Sequence, residues 1–94
     1  MKIKVLGCSG VEGPGHRPPS FLLGRKIAFD AGSLTDVLRT KDLLKIEHIF
    51  ITHSHLDHIM GIPFLSDQLM FSEESHKVNI IGIPAVIEAI RKNL

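Results

Sequence analysis

"ITHSHLDHIMG", residues 51–61, places His53, His55, Asp57 and His58 within six positions, at the end of the nearly all-apolar run "IEHIFIT" of residues 46–52. That run is β-branched and reads as a strand buried on both faces, the kind found in α/β sheets. If the strand continues through residue 55, alternation puts His53 and His55 on the same side. Two neutral imidazoles so placed suit one transition metal. Asp57 and His58 follow where the chain must turn into a helix, and the turn can aim them at a second point on that side. A zinc site needs three or four N, O or S ligands, so two ligands plus two reads as two half-built sites. Two metals about 3.5–4 Å apart can share a bridging hydroxide and clamp the oxygens of a displacement reaction. Asp57 is also placed to orient or deprotonate the nucleophile. Its bland reading is a helix N-cap, and a lone histidine beside a strand is more often packed or solvent-facing. Three histidines around a carboxylate form a different pattern.

Working outward, "KIKVL" (2–6) alternates polar and apolar and predicts a strand, followed by the glycine- and proline-rich loop "GCSGVEGPGHRPPS". "FLLG" and "RKIAFD" predict two short strands joined near Gly24 and Arg25. In "AGSLTDVL", Ser33 and Asp36 have the spacing of a capping box, with Leu34, Val37 and Leu38 on one face. Beyond the histidines, "GIPFLSDQLM" predicts a helix that tolerates Pro63 only in its first turn. "KVNIIGI" predicts a strand. "PAVIEAIRKNL" predicts a helix with Pro84 near N1, an apolar stripe at Val86, Ile90 and Leu94, and a Glu88–Lys92 pair. That stripe runs into the final residue without a glycine cap, the pattern expected of a strand–helix series cut in mid-course.

A chain of 94 residues is one domain at most, and 44% hydrophobic with 22% charged residues is ordinary for a soluble globular protein. Eleven Lys and Arg against ten Asp and Glu leave a formal charge of +1, with no basic footprint for general nucleic-acid binding. A single cysteine, Cys8, excludes an internal disulfide and fits a reducing compartment. Neither a secretory signal nor an apolar run of membrane-spanning length is present. The expected location is the cytoplasm, with no membrane partner.

"THSHLDH" resembles the HxHxDH motif of the metallo-β-lactamase superfamily, and "KIAFDAGS" is similar to that superfamily's strand ending in Asp and Gly. The resemblance implies the N-terminal half of an αββα sandwich, an α/β (α+β) fold forming one partial domain over residues 1–94, truncated at its C-terminus. Carried over by position, His53 and His55 would bind the first of two divalent metals, and Asp57 and His58 the second. Zinc is the first choice, with manganese or iron as alternatives. Asp30 would support the metal-site loops through hydrogen bonds. The remaining ligands would lie beyond Leu94, so the chain alone would be inactive, with one sheet face bare unless another copy covers it.

The longer string "HSHLDHIMG" is similar to the class II cyclic-nucleotide phosphodiesterases, through Leu56 where tRNA 3′-processing endonucleases of the superfamily usually carry glycine. "IPFLSD" lacks the Ser-Pro or Ser-Ala that tends to close the class II pattern. The function implied is hydrolysis of a small phosphodiester, a 3′,5′-cyclic nucleotide first, by a hydroxide held between two metals. The alternatives are a tRNA 3′-processing endonuclease, or a non-catalytic fragment that self-associates through its uncovered sheet.

Other residues carry less. The glycine-rich loop lacks the Lys-Ser/Thr ending of a P-loop, and Gly10 and Gly13 read as plain connection. His16 and Arg17 are candidates for the site entrance. His48 reads as structural on the strand face opposite His53, His76 as a solvated loop residue, Cys8 as a buried or partly buried thiol, and Asp67 as an unsupported extra acid.

Overall fold

The computed structural model describes residues 2–8, 17–53, 55–70 and 76–93. Five strands form one sheet in sequence order: β1 (Ile3–Gly7), β2 (Ser20–Leu23), β3 (Ile27–Phe29), β4 (His48–Phe50) and β5 (Asn79–Ile81). The first three are antiparallel and the last three parallel. This is the mixed sheet with helices expected from the sequence. The β2–β3 hairpin turns at Gly24, whose φ of +65° is the left-handed conformation that glycine adopts without steric cost. Parallel neighbours need crossovers, and helices supply them. α1 (Leu34–Val37) and α2 (Thr40–Leu43) link β3 to β4, while α3 (Leu56–Ile59) and α4 (Gly61–Met70) link β4 to β5. α5 (Pro84–Asn93) follows.

Among the described residues, the helices pack on one sheet face only. Alternation sends Leu22, Ala28 and Ile49 of the three middle strands into a core with Leu34, Leu43, Leu65 and Val86. Full burial of one such leucine contributes about 1.5–3 kcal/mol. The opposite residues form an uncovered apolar face. Ile3 and Val5 are 71% and 57% exposed, and a groove of about 340 Å³ runs between Ile3, Phe21, Leu23 and Phe29. The stacked rings of Phe29 and Phe50, with centroids 5.4 Å apart, extend the same face. Thus β4 is buried on its helix side and only half-buried on the other, at His48 and Phe50, because no second layer lies over it.

Several local expectations change. The helix predicted at "AGSLTDVL" is a single turn, α1, which ends because Leu38 adopts extended backbone; after Arg39, also extended, a second turn, α2, follows that the sequence did not signal. Ser33 occupies the N-cap position without making a cap hydrogen bond. Its fully buried Oγ has no hydrogen-bond partner, which makes it a local energetic debt. Cys8 is exposed, not buried, because it follows Gly7, whose inward side is already filled by Pro18, Arg17 and Ser33. His76 is not a solvated loop residue: its Nε2 lies 2.6 Å from the carbonyl oxygen of Ile46, half-buried. Glu88 and Lys92 form no ion pair with each other among the described residues. The glycine-rich loop from Ser9 to His16 and the residue Leu94 lie outside the described residues. In contrast, α4 spans Gly61–Met70 with Pro63 in its first turn, as its sequence predicts.

Candidate metal centre

The site is built from the ends of two parallel strands. At the end of β3, Asp30 takes a left-handed φ of 61°, uncommon for a residue with a side chain but more accessible to Asp than to most. Its backbone is held on both sides. The N–H donates to the carbonyl of Phe50 at 2.8 Å, and the carbonyl accepts from Ser20 Oγ at 2.9 Å. Its carboxylate, 4% exposed, crosses to the end of β4. There it accepts from the Thr52 backbone N–H at 2.9 Å and from Thr52 Oγ1 at 2.8–3.0 Å.

β4 ends at Phe50, so strand alternation does not place His53 and His55 together as the sequence predicts; the loop after the strand does. The ladder continues one step, with Ile51 N–H donating to Ile81 at 2.8 Å, and then the chain leaves the sheet. His58 N–H donates to the carbonyl of His55 at 3.0 Å, tightening the turn. The three imidazoles lie near one another as a result. Ring centroids lie 4.7 Å apart for His53 and His58, 5.9 Å for His53 and His55, and 6.5 Å for His55 and His58. Asp57 is the second residue of α3, inside the helix, so an N-cap role does not account for it. Its Oδ2 faces His58 Nε2 at 3.7 Å.

Proton placement follows from the partners. Thr52 Oγ1 has one proton, and a charge-assisted bond to Asp30 claims it. The lone pair left on Oγ1 faces His53 Nδ1 at 2.9 Å, a contact that suits the neutral tautomer with Nδ1–H donating and the Nε2 lone pair open to a metal. His58 Nδ1 approaches Asp30 Oδ2 to 3.0 Å without the alignment of a hydrogen bond, so it remains buried and unsatisfied. Asp30 therefore orients one imidazole through Thr52 and attracts another directly.

Close backbone packing sets the motif against β3. Ala31 N–H donates to the His58 carbonyl at 2.7 Å. A methyl group on Gly61 would land on the Ala31 carbonyl oxygen, and one on Gly32 would land on the carbonyl of Asp57. Both positions need glycine for approach, not for backbone conformation.

The donor set is rich in imidazole, which suits zinc. Among the described residues, no three His, Cys, Asp or Glu donors converge on one point. Thr52 and Ser20 escaped the sequence reading, since neither is a metal ligand and each acts through Asp30. Arg17 is exposed, with its backbone against Gly7, and neighbouring Pro18 abuts Gly32 beneath Asp57. His16 lies outside the described residues. His48 stays apart from the three-imidazole cluster, its Nδ1 3.3 Å from Asn79 Nδ2 on the open sheet face.

Comparison with known proteins agrees with this fold. Residues 31–94 match the family model described as cAMP phosphodiesterases class-II. The chain belongs to this family, within the metallo-β-lactamase superfamily. The superfamily's fold covers 98% of the chain in an overlay on the metallo-β-lactamase fold protein YhfI from Bacillus subtilis, with a TM-score of 0.77 and 24% identity, over 40% of that chain. Curated relatives of this superfamily chain carry a different name. Ribonuclease Z of Treponema pallidum (strain Nichols) is 41% identical over 96 residues, covering 92% of this chain and 30% of that protein. Ribonuclease Z of Haloferax volcanii is 34% identical over 90 residues, covering 89% and 28%. The chain thus spans about 30% of the length of the curated relatives it matches.

Proposed function

We propose that this superfamily chain supplies part of a metal-dependent hydrolase that cleaves phosphodiester bonds in RNA, as an endonuclease of the tRNA 3′-processing kind. The observation that carries the reading is the proximity of three imidazoles, two with Nδ1 directed toward the Asp30–Thr52 network, beside the Asp57 carboxylate. The ribonuclease Z relatives support RNA as the substrate. His53 and His55 would hold one divalent metal, and Asp57 and His58 a second, with zinc the metal best matched to the imidazoles. When bound, such metals lower the pKa of water to about 7 and stabilise charge on phosphoryl oxygens. Asp30 and Thr52 fix His53 in the tautomer that presents Nε2, and Asp57 is positioned to take a proton. A cyclic nucleotide is the second reading, favoured by the family match over residues 31–94.

Among the described residues no third donor joins either pair, so further donors would complete the centre, and the exposed apolar sheet face would be covered by more chain or a second copy. In a test of activity, residues 1–94 would replace the aligned third of the Treponema pallidum ribonuclease Z. The chimera is expected to cleave RNA in a chelator-sensitive way, and Asp57→Asn to lower cleavage by roughly 10²–10⁴-fold. Faster hydrolysis of 3′,5′-cyclic AMP than of RNA would move the assignment to the second reading. A folded, metal-loaded chimera inert on both substrates would refute phosphodiester hydrolysis. Sedimentation velocity on the 94-residue chain tests the cover: a concentration-dependent dimer is expected if a second copy protects the apolar face, and a persistent monomer excludes it.

A further inference from the structure

At the end of the sheet away from His53, a cavity of about 200 Å³ is lined by Lys4, Leu22, Arg25, Leu38, Asp42 and Lys45. We propose that this cavity is a binding site for a phosphoryl group, held by Lys4, Arg25 and Lys45. The three cations come from β1, the β2–β3 turn and the residues after α2, so only the tertiary fold assembles them. Lys4 pairs in register with Leu22, whose side chain enters the core, so Lys4 points to the helix side of the sheet, where Leu38 and Asp42 lie. Local charge there is three positive groups against the single Asp42 carboxylate, although the chain's formal charge is only +1.

The carboxylate does not neutralise the cluster. Asp42 reaches Lys45 at 4.0 Å, an exposed and weak pair. Among the described residues, Lys4 and Arg25 make no ion pair, whereas neighbouring Lys26 is matched to Glu47 at 3.8 Å. Like charges brought together repel unless an anion lies between them. The size narrows the ligand. Pockets for drug-sized molecules run roughly 300–1,000 Å³, so this cavity suits one phosphoryl group with its ester chain projecting into solvent. A planar guanidinium with two ammonium groups matches a tetrahedral oxyanion of that kind. The ligand is a phosphoryl oxyanion, supplied as free phosphate or as a backbone phosphate of RNA, which present the same chemistry. The site is separate from the metal centre and stands whether or not that centre is catalytic.

The test is an amide NMR titration of the ¹⁵N-labelled 94-residue chain with inorganic phosphate at constant ionic strength, followed by a short single-stranded RNA. Saturable shifts confined to residues around Lys4, Leu22, Arg25, Leu38 and Lys45 are expected. Arg25→Gln, in an exposed turn, should weaken binding roughly tenfold, the loss of one charge-assisted contact. Asp42→Asn should tighten it severalfold. RNA displacing phosphate at the same amides identifies a backbone phosphate as the ligand, and phosphate binding without RNA binding identifies a free one. Shifts that do not saturate, or that spread over all lysines, would overturn the proposal, as would unchanged affinity in a folded Arg25→Gln chain.

Discussion

Asp30→Ala is expected to lower the unfolding free energy by about 2–4 kcal/mol, the loss of charge-assisted hydrogen bonds to Thr52 together with a backbone preference. Three losses coincide. The Thr52 backbone N–H and hydroxyl lose their acceptor, and His58 Nδ1 loses the carboxylate 3.0 Å away. The left-handed backbone at φ 61° also becomes harder to hold, by roughly 1–2 kcal/mol, without a short polar side chain. Asp30→Asn separates the parts, since it keeps that backbone preference and one acceptor oxygen while removing the charge. It should lose about half as much. Urea unfolding reads both values as a lower midpoint at constant slope. A loss below about 1 kcal/mol for Asp30→Ala would show that the network contributes little to the fold.

Gly61→Ala tests the opposite kind of constraint. By helix propensity alone, alanine in place of a helical glycine should stabilise by about 1 kcal/mol. The structure reverses the sign, because the new methyl would overlap the Ala31 carbonyl oxygen and force α4 away from β3. Overpacking of that sort costs about 1–3 kcal/mol, occasionally more. Because the overlap is with backbone, the cost lies at the upper end of that range, and a net destabilisation of roughly 2 kcal/mol is expected once the propensity gain is subtracted. The movement would also strain the 2.7 Å bond from Ala31 N–H to the His58 carbonyl. Equal or greater stability in the same urea experiment would mean that the close approach is relaxed in solution.

The two substitutions mark where sequence reading reaches its limit. Residues that act within one turn or strand step were legible. Pro63 predicts the first turn of α4, Gly24 the β2–β3 turn, and the spacing of His53, His55, Asp57 and His58 a shared site. Asp30 stood out through the family resemblance, while its partner Thr52 did not. The two are 22 residues apart and meet because β3 and β4 pair in parallel, with Phe29 opposite Phe50. The reason given for the histidines also changed: alternation requires a strand to residue 55, and the real strand stops at Phe50. Tight turning after it achieves the same convergence by another route.

What the sequence by itself determined is local chemistry: the cluster of imidazoles and carboxylate, the apolar strand before it, the helix after it, and the superfamily these imply. Hydrophobic period and turn residues act over a few positions, and those positions are adjacent in the chain. The tertiary structure alone decided which groups are neighbours across the sheet. It exposed Cys8, pinned His76 to Ile46, gathered Lys4, Arg25 and Lys45 from distant segments, and left one apolar face bare. A net charge of +1 averages over the whole chain, whereas a ligand responds to the few charges within a Debye length, about 8–10 Å, and their placement is set by strand register.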